Sequence, residues 1–298
     1  MQSFEYIAPR TVKEALAALQ QHRGALLLAG GTDALIRMKS RAETPSVVVD
    51  VKRIRGMDEL RFDARKGLTI GAAVTMRQIE QSADVGQHYA ALAHGAARVG
   101  SVQIRNQATV AGNICNAAPS ADTAPALIAL GAKVRIAGSQ GRRSMTVEKL
   151  MVGPGRTALV ADELVTAIHV PAPQPRAGSA YTRHTPRGAM DIAVVGVAAA
   201  VMLAPRTGAC EQAKIVLGAV APTPMRAKRA ERMLQGEKLS DELIAAVAAA
   251  AAEEARPISD VRASAQFRRQ MVAVLTQRMV VAARENAGGQ GQSGRRAA

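Results

Sequence analysis

The segment Pro171-Ala-Pro-Gln-Pro175 constrains the fold of this chain more than any other. Each proline fixes its φ angle and removes a backbone donor, so neither a helix nor a central strand runs through such a stretch. The chain therefore divides there into two separately patterned parts. Its length, 298 residues, suits about two domains and lets each bury a core without a metal or disulfide staple.

Before the prolines, short strands and helices alternate. Thr11-Val-Lys-Glu14 reads as a capping box, and Val12, Ala15, Leu16 and Leu19 follow at helical spacing. Strands are expected at 25–29 and 47–50, with a Gly-Gly turn and a short helix, 32–39, between them. Further on come a strand at 68–73, a capping-box helix from Thr75 to 81 and a helix at 89–99. A helix at 124–130, a hairpin pairing 133–137 with 142–146 around Gly138-Ser-Gln-Gly141, and a strand at 163–170 complete this part. After the prolines the pattern changes to antiparallel strands at 179–184, 192–203 and 212–219, then helices at 225–234, 240–255 and 262–284. The expected division is 1–174, itself split into about 1–56 and 57–174, followed by 175–286 and a disordered Gly/Gln/Ser/Arg-rich tail, 287–298.

Composition excludes several classes. The hydrophobic share of 48% rules out disorder as the main state. Aromatics make up 2%, with no Trp, so the core is built from Ala, Val, Leu, Ile and Met. The formal charge of +15 favours acidic partners. The aromatics that single-strand nucleic-acid binding stacks against the bases are nearly absent. Cys115 and Cys210 are too few and too far apart for an iron–sulfur cluster or a cysteine-rich zinc site, and read as free thiols of a reducing compartment. The first ten residues carry an acid and a proline where a leader peptide needs a basic start and an apolar run. The longest uncharged apolar stretch, 192–203, is shorter than the roughly 18 residues of a membrane span. A soluble, cytoplasmic chain is expected. There is no GxGxxG after a strand, no GxxxxGK[ST], no GxSxG and no HExxH, and the five histidines show no ligand spacing.

Two segments carry chemistry. Ala29-Gly-Gly-Thr-Asp33 lies between a strand and a helix; its glycines let the backbone approach a ligand, and its amides suit an anion such as a diphosphate. The same residues also suit a tight turn with Thr32 or Asp33 as a helix cap. Arg105 to Asn116, continuing to Asp122, interleaves small and polar residues and is poor both as an amphipathic helix and as an alternating strand. It suits either a ligand loop, with Asp122 accepting from a sugar hydroxyl, or an irregular core loop with Asn-rich turns. Taken together, the two segments point to a dinucleotide held between two subdomains without a Rossmann fold.

These residues carry a resemblance. AGGTD at 29–33, VVVDVKRI at 47–54, GLTIGAAVT at 67–75, IRNQATVAGNICNAAPSADTAPALIALGA at 104–132, YTRHTPRGAMDIAVVGVAAAV at 181–201 and VLGAVAPTPMRAKRAE at 216–231 resemble the FAD-binding medium subunits of molybdenum hydroxylases. That group includes carbon monoxide dehydrogenase, xanthine dehydrogenase and 4-hydroxybenzoyl-CoA reductase. The fold implied is α+β: a two-subdomain FAD-binding region of the vanillyl-alcohol-oxidase (PCMH) type, then a smaller domain of antiparallel sheet and helices. The resemblance implies an oxidoreductase subunit whose FAD takes electrons from two [2Fe–2S] clusters on a small partner subunit and passes them to an external acceptor. A large partner carries the molybdenum cofactor, and the assembly implied is a dimer of heterotrimers.

By position, the resemblance implies that Leu27, Leu28, Ala29, Gly30, Gly31, Thr32, Asp33 and Ala34 wrap the FAD diphosphate, mostly through amides. Thr109, Gly112, Asn113, Cys115 and Asn116 form the second wall, with Val99 and Gly100 counted in the same set. Asp122 holds a sugar hydroxyl, Leu164 and Val165 line the adenine or flavin edge, and Arg183, Met190 and Asp191 lie near the flavin. Ala111 stands where a Gly is usual, Ala118 where some members have Ser, and Arg183 where many have Lys. Two cysteines exclude the extra cluster found in part of the 4-hydroxybenzoyl-CoA reductase branch. Two other readings stay open: a stand-alone FAD oxidoreductase, which needs a substrate pocket of its own, and a basic nucleic-acid-binding protein, which explains the charge but not the glycine loops.

Overall fold

The computed structural model describes residues 1–288. The chain opens with a small parallel sheet. β1 (Glu5–Ile7), α1 (Val12–Gln21), β2 (Leu26–Leu28), α2 (Ala34–Lys39) and β3 (Val47–Asp50) place β3 between β1 and β2, parallel to both. β3, Val-Val-Val-Asp, is buried along its whole length, as befits a central parallel strand. Thr11 caps α1 by accepting from the Glu14 amide at 3.2 Å. The return bond that a capping box would send to Thr11 goes one residue further out, from the Arg10 amide to Glu14 Oε2 at 2.7 Å.

The second unit is an antiparallel sheet with helices inserted between its strands. It contains β4 (Leu60–Asp63), β5 (Gly67–Gly71), α3 (Met76–Gln81), α4 (Ala83–His88), α5 (Ala90–Ala97), α6 (Val102–Arg105), α7 (Val110–Asn116) and α8 (Thr123–Ala129). The hairpin β6 (Lys133–Gly138) and β7 (Gly141–Thr146), α9 (Val147–Leu150), the small pair β8 (Met151–Gly153) and β9 (Arg156–Thr157), and β10 (Glu163–Val170) follow. The strand order is β4-β5-β10-β6-β7, so the last strand closes the middle of the sheet. The capping box expected at Thr75 and Gln78 is present at the start of α3. The stretch 105–116, poor as either regular element by pattern, forms the end of α6 and all of α7; helices of four and seven residues are too short to show a 3.6-residue period.

Beyond the prolines lie β11 (Ala177–His184), β12 (Val195–Leu203), β13 (Cys210–Gly218) and β14 (Met225–Arg226), paired antiparallel in that order, then α10 (Lys228–Leu234), α11 (Asp241–Glu254) and α12 (Ala265–Ala287). The helix expected from 225 begins three residues later, because Met225 and Arg226 pair with Leu217 and Val216. α12 runs through Ala287, one residue into the expected tail; 289–298 lie outside the described residues.

Two hydrophobic cores result. One joins both sheets of the first part, and the other joins β11–β13 to α10–α12. The strands between them bury both faces. Val197, Ala199, Val201, Ile215 and Leu217 point to the helices, while Tyr181, Ala198 and Val216 enter the first core. That double burial is why 192–203 reads as continuously apolar rather than alternating. Tyr89, the largest fully buried side chain, donates to the Pro171 carbonyl at 3.0 Å and ties the proline segment to the first core. Among the described residues no helix is long and apolar enough to cross a membrane, and no cluster of side chains suits a metal ion.

Candidate functional site: a cleft between two glycine segments

The first segment leaves the C-terminal end of β2, the edge at which open parallel sheets present ligand loops. Residues 29–33 turn the chain into α2, with Gly31 at φ +74°, a conformation that favours glycine. Asp33 occupies the cap position without making a side-chain cap bond. Among the described residues, the amides of Gly30, Gly31, Thr32 and Asp33 donate to no protein acceptor. Successive free amides around a left-handed glycine form an anion-binding nest.

Gly30 joins this loop to the second segment. A Cβ there would lie 2.3 Å from the Gln107 carbonyl oxygen and 2.8 Å from the Ala108 Cα. The backbones of the two segments rest directly on each other, which only glycine permits. The second segment is held in turn by β-like bonds at the start of α3: Met76 donates to Ala108 at 2.8 Å, and Val110 donates to Val74 at 3.2 Å. Thr109 caps α7 by accepting from Gly112 at 3.0 Å. Arg105 is buried and donates to both oxygens of Glu80, at 2.8 and 3.2 Å, and to the Val99 carbonyl at 3.2 Å, fixing the approach to α6. Burial raises the Glu80 pKa, but hydrogen bonds from Arg105 and Arg77 outweigh it and hold the carboxyl below its usual range.

These contacts enclose a cavity of about 360 Å³, within the size range of small-molecule sites. Leu27, the run from Ala29 to Ala34, Val99, Thr109, Gly112, Asn113, Cys115, Asn116, Leu164 and Val165 all line it. Leu28 and Gly100 do not: Leu28 packs towards Gly31, and Gly100 sits against Ile104. The Asn113 side-chain Oδ1 accepts from the Thr123 hydroxyl at 2.6 Å, and the Asn116 Oδ1 accepts from Arg37 at 2.7 Å. Burial pushes the Cys115 thiol up to about 12, so it lines the wall as a neutral, weakly polar group. Cys115 and Cys210 are both free, Cys210 fully buried and Cys115 partly so.

Arg37 is a lining residue that the sequence did not single out. Among the described residues it is the one cation of the cavity wall. It lies one turn into α2, bonded to Asn116 and, at 2.8 Å, to Glu43. The available signal was its place three residues after Ala34, on the helix that the glycine loop begins.

Asp122, Arg183, Met190 and Asp191 lie outside the cavity wall. Asp122 is engaged by residues of β11. Its carboxylate accepts from Tyr181 at 2.8 Å and from Arg183 at 2.5 Å, and both members of the ion pair are buried. Burial pushes Asp122 up to about 6, against the pull of Arg183 and Tyr181. This trio joins the turn before α8 to β11 and so locks the two parts of the chain together. Met190 is half exposed at φ +55° on the loop before β12, and Asp191 accepts from the amides of Arg187 and Ile192.

A glycine cradle for an anion, opening on an apolar cleft between two α+β units, suits a dinucleotide held without a Rossmann fold. The comparisons give the family. Residues 2–173 match the FAD binding domain in molybdopterin dehydrogenase, and residues 179–283 match the CO dehydrogenase flavoprotein C-terminal domain. The chain belongs to this family: it is a FAD-binding medium subunit of the molybdenum hydroxylase type, an oxidoreductase subunit. It is 33% identical over 286 residues to the xanthine dehydrogenase FAD-binding subunit of Escherichia coli O157:H7, covering 95% of this chain and 97% of that one. It is 34% identical over 251 residues to the nicotinate dehydrogenase FAD-subunit of Eubacterium barkeri, covering 83% and 84%. A solved chain of carbon monoxide dehydrogenase from Hydrogenophaga pseudoflava superposes with a TM-score of 0.90 at 31% identity, covering 96% of this chain and 98% of that one. The expected α+β fold and the FAD cofactor are thereby shown.

Proposed function

We propose that this chain is the electron-exit subunit of a molybdenum hydroxylase complex. It would take electrons from [2Fe–2S] clusters on a small subunit and deliver them to an external acceptor, while a large subunit holds the molybdenum cofactor. Relatives described as medium chains of carbon monoxide dehydrogenases support a three-subunit assembly, here taken as a dimer of heterotrimers in the cytoplasm. In this reading the chain divides into 1–174 and 175–286, a division supported by the helices of the second part sharing a core of their own with β11–β13.

The observation that carries the reading is the contact of Gly30 with Gln107, which sets four free amides over the cleft. In this proposal those amides hold the FAD diphosphate. The Asn113 and Asn116 side chains hydrogen-bond polar atoms of the dinucleotide, and Arg37 adds the positive charge of the wall. Leu164 and Val165 pack against a ring and exclude water from it. Leu28, Gly100, Asp122 and Arg183 support the cleft from behind, and Met190 and Asp191 mark the side on which the flavin would be approached. Bound FAD supplies the redox chemistry, and the protein sets its position and potential. The test is co-expression with the two partner subunits, followed by anaerobic addition of the complex's substrate. Loss of the oxidised-flavin absorption near 450 nm supports the proposal; a flavin that stays oxidised while the clusters are reduced overturns it.

A further inference from the structure

A second cavity, of about 310 Å³, lies between the two parts of the chain. Its volume is at the lower end of the range for small-molecule sites. Tyr89 and Leu130 wall it from the first part, Pro171 and Pro173 from the proline segment, and Ala200 and Met202 from β12. Ala200 packs towards the first core, and Met202, two residues on, shares its face of the sheet. Both stay half-buried. Further along the same face, Ala198 and Val216 are packed into the first core. The sheet and the first part thus close on each other at one end and stand apart at the other.

The cavity is apolar except at one edge. Among the described residues that line it, Lys214 is the only lysine or arginine, and there is no carboxylate. A Cβ on Gly131 would lie 2.9 Å from Lys214 Nζ, so the ammonium rests over the backbone of that glycine, at φ +73°. Among the described residues Lys214 makes no hydrogen bond or ion pair; Glu231 and Glu148 act on it only through space. Glu231 is engaged by Arg226 and by the Ile215 amide. Burial, then the Arg226 charge, lower the Lys214 pKa against the pull of those two carboxylates. A half-buried cation without a hydrogen-bonded counter-ion is unfavourable, and a bound anion relieves it. Lys214 also faces a shallower basin with Arg226, Lys228 and Arg232, where Glu211 and Glu231 are the acids. The basin is net positive and meets the cavity at 212–214, so it draws anions towards Lys214.

We propose that this cavity binds a small amphipathic carboxylic acid, with its carboxylate on Lys214 and its apolar body between the proline segment and β12. A purely apolar ligand leaves the ammonium without a partner, and a small inorganic anion leaves the apolar walls uncovered. A ligand seated here touches both parts of the chain and stabilises their docking by mass action. No residue lines both this cavity and the FAD cleft, so the two sites are separate.

The test uses the full-length chain with added FAD, and octanoate as the probe, beside octanol, octylamine and inorganic phosphate. Calorimetric titration and thermal unfolding are the readouts. The expected result is one octanoate per chain, with a dissociation constant below about 1 mM, a raised unfolding midpoint and octanol bound at least about tenfold more weakly. Lys214→Met keeps the apolar stem and removes the ammonium. It should lower octanoate affinity at least about tenfold and leave octanol binding and FAD content unchanged. Ala200→Leu, which fills the cavity from the sheet side, should weaken both ligands; if it does not fold, Lys214→Met alone decides. Octanoate binding that does not saturate by about 10 mM, or that is as tight in Lys214→Met as in the wild type, overturns the proposal. Octylamine bound more tightly than octanoate overturns it too. Phosphate bound as tightly as octanoate overturns it by assigning Lys214 to an inorganic ion, and octanoate that releases FAD overturns it by placing the ligand in the other cleft.

Discussion

Three residues show how local chemistry holds the cleft. Gly30 has no room for a methyl group against the Gln107 carbonyl. Gly30→Ala must therefore part the two segments, and we expect FAD affinity to fall at least about tenfold, the equivalent of roughly 1.4 kcal/mol, by flavin fluorescence titration. Full retention of affinity would show that the segments do not need to touch. Glu80 links α3 to Arg105, and its pKa is lowered in the folded chain. A lowered carboxylate pKa stabilises the protein above the unfolded value, 4.5, and that contribution is lost as pH falls through the folded value. Urea unfolding should show the wild type losing stability below about pH 4.5, with Glu80→Gln less stable near neutrality and flatter in acid. Asp122 and Arg183 form a buried pair, so removing one partner strands the other. Asp122→Asn should cost about 3 kcal/mol, and Asp122→Asn/Arg183→Met should cost less than the single change; strict additivity would mean the two residues do not interact.

At the scale of elements, what could be read from the sequence follows length and locality. β10 spans 163–170 as its apolar pattern predicts, and the 133–146 hairpin and the Thr75 capping box depend on neighbouring residues alone. β1, β14 and α6 have three, two and four residues, too few for a period to emerge; the two strands exist because distant strands pair with them, and Ser101 caps α6 locally. The two glycine segments were legible as ligand loops, but their mutual contact was not, because it depends on a turn in one meeting a carbonyl nearly eighty positions away. The same distance problem hid the use of Asp122, whose partners lie on β11. Arg37 was missed because a lone arginine in a six-residue helix has no pattern around it. Close packing between elements gives a further prediction. A Cβ at Gly178 of β11 would sit 2.2 Å from the Ala283 carbonyl oxygen on α12. Gly178→Ala should lift the helix from the sheet and destabilise the chain by about 2 to 3 kcal/mol, as overpacking does, read as a lowered urea midpoint. An unchanged midpoint would mean that α12 does not seat on β11 as described.

At the scale of the whole molecule, the parts serve a single division of labour. The proline segment leads the chain from a core that builds the cradle to a core that builds an antiparallel sheet backed by helices. The buried Asp122–Arg183–Tyr181 contacts keep the two in register. A charge of +15 spread over the chain suits association with acidic protein surfaces and makes that association sensitive to salt. The central claim is that the cleft holds FAD, and the most direct measurement is the visible absorption spectrum of the purified chain with chemical identification of the released chromophore. The account predicts one FAD released per chain from the wild type, and a marked deficit in Gly30→Ala under the same conditions. A colourless chain that takes up no added FAD, alone or with its partner subunits, would contradict it.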